Sequence, residues 1–192
     1  MKEKSFSDLP PGDEHLRETQ FTSEDVYQGI FLHLKKDVVH LPDGQKGIRE
    51  YLIHPGAIAI VPILDDGRIV LERQFRYPIN RAVIEIPAGK LEVSEDPLEC
   101  AKRELLEETG YTASEWSFLA KIHPVIGYAT EFIDIYLARG LTQGTRQLDD
   151  EEFLDVFAAS LDQMKQWIDD GTITDVKTII AVYHLIQKNI LS

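Results

Sequence analysis

Residues 89 to 111 read Gly89-Lys90-Leu91-Glu92-Val93-Ser94-Glu95-Asp96-Pro97-Leu98-Glu99-Cys100-Ala101-Lys102-Arg103-Glu104-Leu105-Leu106-Glu107-Glu108-Thr109-Gly110-Tyr111. Asp96 offers a side-chain acceptor just ahead of Pro97, whose fixed φ suits the first helical position, and Glu99 adds an acid to the first turn. Gly110 stands where a left-handed residue ends a helix. These signals predict a helix over residues 97–109. Helical residues turn by about 100° each, so Glu104, Glu107 and Glu108 share an arc of roughly 100°, and Leu98, Ala101, Leu105 and Thr109 occupy the adjoining arc. One stripe is core and its neighbour is a carboxylate cluster. Three like charges this close raise one another's pKa and destabilise the helix unless a cation offsets them, and oxygen donors suit Mg²⁺ or Mn²⁺. An isolated Glu-Glu pair is more often a solvated helix face. Here the spacing of the whole stretch argues for chemistry.

Working outward, residues 56–64 are a continuous apolar run that ends at Asp65-Asp66-Gly67, and residues 68–76 resume beyond that turn, which predicts a hairpin in a buried sheet. Residues 82–87 read as a further short strand that breaks at Ala88-Gly89. Past the helix, residues 116–122, 131–138 and 153–158 are expected strands, and residues 161–169 and 175–189 amphipathic helices. Upstream, residues 18–53 alternate in short pieces such as 26–34 and 37–41, broken by Pro42-Asp43-Gly44, and predict a small antiparallel sheet. Residues 1–15 are polar and turn-rich and are given no function. The class is mixed α/β.

Gly89, five residues, Glu95, seven residues, then Arg103-Glu104-Leu105-Leu106-Glu107-Glu108-Thr109-Gly110-Tyr111 resemble the Nudix box at every defined position. The resemblance implies a loop–helix–loop catalytic element in an α/β/α sandwich with a mixed sheet, spanning residues 54–192. It implies an Mg²⁺-dependent hydrolase, with Mn²⁺ as the alternative ion. Glu104, Glu107 and Glu108 would be metal ligands, with the Ala88 carbonyl a further one. Glu95 would assist from the loop, Arg103 would orient the carboxylates by charge-assisted hydrogen bonds, and Gly89 and Gly110 would serve backbone geometry. Cys100 reads as a small buried filler.

Similarity extends beyond the box. His54-Pro55-Gly56-Ala57, Arg73-Gln74-Phe75-Arg76-Tyr77-Pro78 and Glu85-Ile86-Pro87-Ala88-Gly89-Lys90-Leu91 resemble segments of the ADP-ribose and nucleoside diphosphate sugar pyrophosphatases, and Pro124 resembles a proline of that branch. The resemblance implies that Arg73, Arg76, Glu85 and Pro124 bind substrate. Arg73 and Arg76 lie three apart on a strand and cannot share one face, so Arg76, beside Tyr77, is the better phosphate or base contact. Where the branch has a Ser-Pro-Gly run, this chain has Pro124-Val125-Ile126-Gly127-Tyr128, which leaves the choice of sugar or terminal ribose open. His54 and His123 read as structural. Asp149-Asp150-Glu151-Glu152 reads either as a solubilising acidic turn or, as in the resembling enzymes, as a loop whose glutamate acts as general base or extra metal ligand, with Glu151 and Glu152 the two candidates.

The 33 acidic residues against 20 basic ones give a formal net charge of -13, which repels nucleic acid and anionic membranes and obliges any phosphate-bearing ligand to find local arginines or a metal. A single cysteine permits no intrachain disulfide. The N-terminal text has no apolar signal region, and no run approaches the roughly 20 apolar residues of a membrane span, so a cytoplasmic location is expected. Residues 1–53 form an N-terminal β subdomain whose few strands cannot bury Val26, Ile30, Phe31 and Leu32, which predicts packing against a second subunit in a homodimer, as in the resembling enzymes. The expected reaction cuts ADP-ribose or another nucleoside diphosphate sugar to a nucleoside monophosphate and a sugar phosphate. The competing readings are a hydrolase of nucleoside triphosphates or dinucleoside polyphosphates, and a non-catalytic ADP-ribose sensor, for which a degenerate box would be expected.

Overall fold

The apolar run that starts at residue 56 becomes β4 (Ala57–Pro62), in which Ile58, Ala59, Ile60 and Val61 are fully buried. A strand buried on both faces needs layers on both sides, and the chain supplies them. The computed structural model describes residues 12–148 and 153–191, in two units: residues 12–54 with 125–130, and residues 55–124 with 131–191.

In the second unit β4 lies between β7 (Ala88–Lys90), antiparallel to it, and β9 (Ile133–Gln143), parallel to it, and β8 (Tyr111–Ile122) closes that sheet against β9. A second, antiparallel sheet has the order β10 (Leu154–Ala159), β5 (Ile69–Arg76), β6 (Arg81–Glu85). One face of the first sheet, with Ala59, Val61, Ile135 and Leu137, packs with Ile69, Leu71 and Ile84 of the second. Helices α2 (Leu161–Asp169) and α3 (Val176–Gln187) complete this core through Met164, Ala181, Val182 and Leu185. The opposite face, with Ile58, Ile60 and Ala138, takes Cys100, Ala101 and Leu105 of helix α1 (Pro97–Glu104) and the turn that follows it. The α/β/α sandwich with a mixed sheet is therefore the architecture.

The expected hairpin between residues 56–64 and 68–76 does not form as a paired ladder. Its turn exists, with Leu64 N–H donating to Arg68 O at 2.9 Å and Gly67 at φ 83, but pairing stops at the bridge between Ile63 and Ile69. The reason is edge occupancy: β4 gives its two edges to β7 and β9, and β5 gives its own to β10 and β6. The break expected at Ala88-Gly89 likewise moves upstream, because residues 88–90 pair with β4.

Asp96 caps α1 as its chemistry requires, accepting from Leu98 N at 2.9 Å and Glu99 N at 3.2 Å. The helix runs on to Gly110, which ends it at φ 75, but regular α bonding stops at Glu104 and Leu105–Thr109 forms a π turn. The π turn holds Glu107 and Glu108, and a widened turn of this kind is concentrated at functional sites.

The first unit is an antiparallel sheet of β1 (Thr19–Gln28), β2 (His33–His40) and β3 (Lys46–Ile53) in that order. Residues 26–34 are not one strand: Gly29 N–H donates to Leu32 O at 2.8 Å, which makes residues 29–32 the hairpin turn. Residues 125–130 dock on β3 through Leu52 N to Tyr128 O, 2.8 Å, and Thr130 N to Leu52 O, 3.0 Å. Among the described residues of this unit Val39 is the one fully buried apolar side chain, and Phe21, Val26, Tyr27, Ile30, Phe31 and Leu32 are exposed.

Candidate active site

The site grows from the turn between β7 and α1. Gly89 has no side chain, and the Glu104 carboxylate crosses its Cα so closely that a Cβ there would stand 2.0 Å from the carboxyl carbon. Only glycine leaves that path open. One residue earlier, Ala88 N–H donates to Glu108 Oε2 at 3.1 Å, and Glu108 is only 4% exposed. A short backbone segment thus holds two of the expected metal ligands against the core.

Arg103 gathers the remaining carboxylates. Its Nε and Nη2 donate to the two oxygens of Glu95 at 2.9 and 3.2 Å, and its Nη1 reaches Glu107 Oε2 at 2.8 Å and Glu104 Oε1 at 2.9 Å. The guanidinium fork suits this task because its donors are fixed in one plane. Its hydrogen bonds hold the Glu95 carboxyl well down, at about 2. The surrounding carboxylates raise the Arg103 pKa, with Glu95 contributing most. Cys100 sits beneath, fully buried, with its thiol pushed up to about 12 by burial and then by Glu95. One guanidinium shared by Glu95, Glu104 and Glu107, with Glu108 on the same turn held by Ala88, leaves the cluster with excess negative charge. Among the described residues no three carboxylates converge to enclose an ion, since Glu104 and Glu107 turn toward Arg103.

A second cluster lies on β5 and β6. Arg76 donates to both oxygens of Glu85, Nε to Oε1 at 2.6 Å and Nη2 to Oε2 at 2.9 Å, and its guanidinium stays 44% exposed. Glu85 is buried, and Lys177 of α3 touches the same carboxylate. Burial pushes the Glu85 carboxyl up, but the hydrogen bond from Arg76 and the charges of Lys177 and Arg76 outweigh it, and the net direction is down. Glu72 stands directly across from Glu85 in the ladder and is also buried.

The other expected residues scatter. Arg73 alternates to the opposite face from Arg76 and stacks its guanidinium 5.5 Å from the Phe157 ring centre, so the structure does not bring it to the Arg76 cluster. With Arg146, Phe153 and Asp155 it lines a separate cavity of about 370 Å³. Pro124 is half-buried at the start of a turn. His54 packs edge-on against Phe31 at 5.9 Å. Glu151 and Glu152 lie outside the described residues, but the chain just before them is docked on the π turn: Gln147 N donates to Glu107 O at 3.1 Å and Gly144 N to Gly110 O at 2.6 Å. Lys177 was missed by sequence reasoning. Its one signal is a cation in the first turn of a helix, where the helix dipole disfavours it.

The comparisons with known proteins agree with this geometry. Residues 53–179 match the NUDIX domain model, and residues 18–52 match the nucleoside diphosphate sugar hydrolase N-terminal domain. The chain is 41% identical over 170 residues to the methanol dehydrogenase activator of Bacillus methanolicus, covering 88% of this chain and 92% of that protein. It is 36% identical over 178 residues to the ADP-ribose pyrophosphatase of Bacillus subtilis (strain 168), covering 92% and 96%. A crystal structure of an ADP compounds hydrolase superposes with a TM-score of 0.80 at 23% identity, over 89% of this chain and 93% of that one, a likeness of fold. The chain belongs to the Nudix family: it is a Nudix hydrolase that carries the N-terminal domain of nucleoside diphosphate sugar hydrolases ahead of its NUDIX domain.

Proposed function

We propose that this chain hydrolyses the pyrophosphate of ADP-ribose or another nucleoside diphosphate sugar, with Mg²⁺ or Mn²⁺, to a nucleoside monophosphate and a sugar phosphate. The observation that carries the reading is the carboxylate cluster held by Arg103, Ala88 and Gly89, with a cationic Arg76 on the neighbouring sheet. Relatives named ADP-ribose pyrophosphatase support the substrate class.

The donor set fits a hard divalent cation: it is all oxygen, it carries more negative charge than one guanidinium offsets, and Gly89 leaves the Glu104 carboxylate its path. Glu104, Glu107, Glu108 and the Ala88 carbonyl would hold the ion, which supplies charge neutralisation at the phosphates and a more nucleophilic water. Arg103 keeps the carboxylates ordered through hydrogen bonds to Glu95, Glu104 and Glu107. Arg76 donates to a phosphate oxygen, with Glu85 fixing its orientation. Arg73, in its separate cavity, and Pro124 are carried as substrate contacts by the resemblance alone. A carboxylate of Glu151 or Glu152 takes the proton of the attacking water. No covalent intermediate is needed, and neither inorganic phosphate nor pyrophosphate should appear.

The exposed apolar side chains of β1 and the turn at residues 29–32 support a homodimer in which residues 1–53 serve as the dimerisation unit and residues 54–192 as the catalytic one. No helix of the described residues is long and apolar enough to cross a membrane, and a cytoplasmic site of action fits the single cysteine.

The test is a panel of ADP-ribose, nucleoside diphosphate hexoses, nucleoside triphosphates and dinucleoside polyphosphates, with products resolved. A diphosphate sugar should turn over fastest, a chelator should abolish the reaction, and Glu107→Gln should lower kcat by about two orders of magnitude or more with the fold intact. Faster turnover of triphosphates than of every diphosphate sugar would refute the substrate class. The 41% relative named methanol dehydrogenase activator favours a second reading, in which the chain raises the rate of a dehydrogenase. Methanol dehydrogenase turnover measured with and without the chain separates the two.

A further inference from the structure

Lys177 occupies a position that two local effects oppose. It lies in the first turn of α3, at the positive end of the helix dipole, and its side chain is only 9% exposed. A buried ammonium is strongly unfavourable unless it is paired and hydrogen-bonded. The compensation comes from Glu85, 92 residues away in sequence and 5% exposed, whose Oε2 Lys177 contacts directly, and from Asp175 Oδ1 at 3.1 Å. Asp175 also caps α3 by accepting from Thr178 N at 3.0 Å, so its charge is shared with the helix end.

The contact does more than fasten a helix. Both oxygens of Glu85 accept from Arg76, and Oε2 accepts from Lys177 as well, so the carboxylate is held from two sides. The next residue is tied to the same helix turn: Ile86 N–H donates to Thr178 Oγ1 at 3.0 Å, and Thr178 Oγ1 donates to Asp175 Oδ2 at 2.6 Å. Lys177 therefore acts at the root of the arginine. It offsets the charge of Glu85, so the guanidinium is aimed by a carboxylate without being cancelled by it.

We propose that Lys177 is a positioning residue for substrate binding: through Glu85 it fixes Arg76 and leaves the guanidinium charge available to a phosphate oxygen of the diphosphate. The assignment rests on the reading of Arg76 as the phosphate contact of a nucleoside diphosphate sugar hydrolase. Glu85 then acts through Arg76.

The test is a double-mutant cycle on the full chain with ADP-ribose. Lys177→Met should raise KM about tenfold with kcat within about threefold, because a charge-assisted contact that acts in substrate and transition state alike is lost. Lys177→Arg should recover most of that loss. In an Arg76→Ala background Lys177→Met should add little, which a merely structural fastening of α3 would not produce. An unchanged KM, or full additivity, overturns the proposal. If Lys177→Met does not fold, Lys177→Gln carries the same comparison. A second readout needs no substrate: in ¹⁵N-labelled protein the Arg76 Nε–Hε proton should exchange slowly with water, and faster once Lys177 is replaced by Met or Gln. Unchanged exchange overturns the proposal whatever the substrate is. Faster exchange in a chain that cleaves no diphosphate sugar overturns only the substrate reading.

Discussion

At the residue scale, Arg103 shows how one side chain organises several. It binds Glu95 with two donors and reaches Glu104 and Glu107 with a third, and the sequence spacing of the box already placed it among them. The link to Glu95 has a pH consequence. The folded-state pKa of Glu95, about 2, lies below its ordinary value of 4.5, so the ionised pair contributes stability at neutral pH. That contribution is lost as pH falls from 4.5 through about 2. Glu95→Gln should therefore lower Tm at neutral pH, and its deficit against the natural chain should shrink over that acid window. A deficit that stays constant down to the lower end would contradict the pairing. Arg73 and Arg76 mark the limit of such reading: strand alternation says that they diverge, but which of them meets a carboxylate depends on β6 and α3.

At the element scale, the loop–helix segment from Gly89 to Gly110 was legible because its signals are local. Asp96, Pro97 and Gly110 act within a turn of their own positions, and their cap bonds form as their chemistry requires. The π turn over Leu105–Thr109 was not legible, since any residue there also suits an α-helix. The fate of β4 and β5 was hidden for a related reason: turn chemistry fixes the reversal at residues 65–67, but edge competition from β7, β9, β10 and β6 decides the pairing. The contact between Gly89 and Glu104 gives a prediction at this scale. Gly89→Ala places a Cβ in the path of the Glu104 carboxylate, the movable end of a long side chain, so the fold should persist. Displacing that carboxylate should cost about a hundredfold in kcat, since misplacement of a catalytic group by about 1 Å has effects of that order. Calorimetry and steady-state rates on one preparation check both halves. Unchanged kcat would remove Glu104 from the machinery.

At the scale of the whole molecule, the sheet of β1, β2 and β3 sets the expectation for assembly. All ten residues of β1 are exposed, as are Ile30, Phe31 and Leu32 in the turn that follows. Apolar surface of this kind suits the proposed homodimer, in which light scattering at micromolar concentration should give about twice the 21.9 kDa chain mass, and Phe31→Asp should shift the mass toward one chain. A monomeric natural chain would contradict this. The net charge of -13 acts over the whole surface and disfavours anions except where cations are built in, which is the role proposed for Arg76. The sequence by itself determined the loop–helix segment from Gly89 to Gly110, the mixed α/β class and the small N-terminal sheet, because caps, turns and apolar periods act over a few residues. Only the tertiary structure decided that Lys177 meets Glu85, that Arg76 and not Arg73 meets the same carboxylate, and that β4 and β5 enter different sheets. Those outcomes depend on which distant segments compete for one edge or one carboxylate: a buried strand edge must pair its backbone groups, and a buried carboxylate must find a cation.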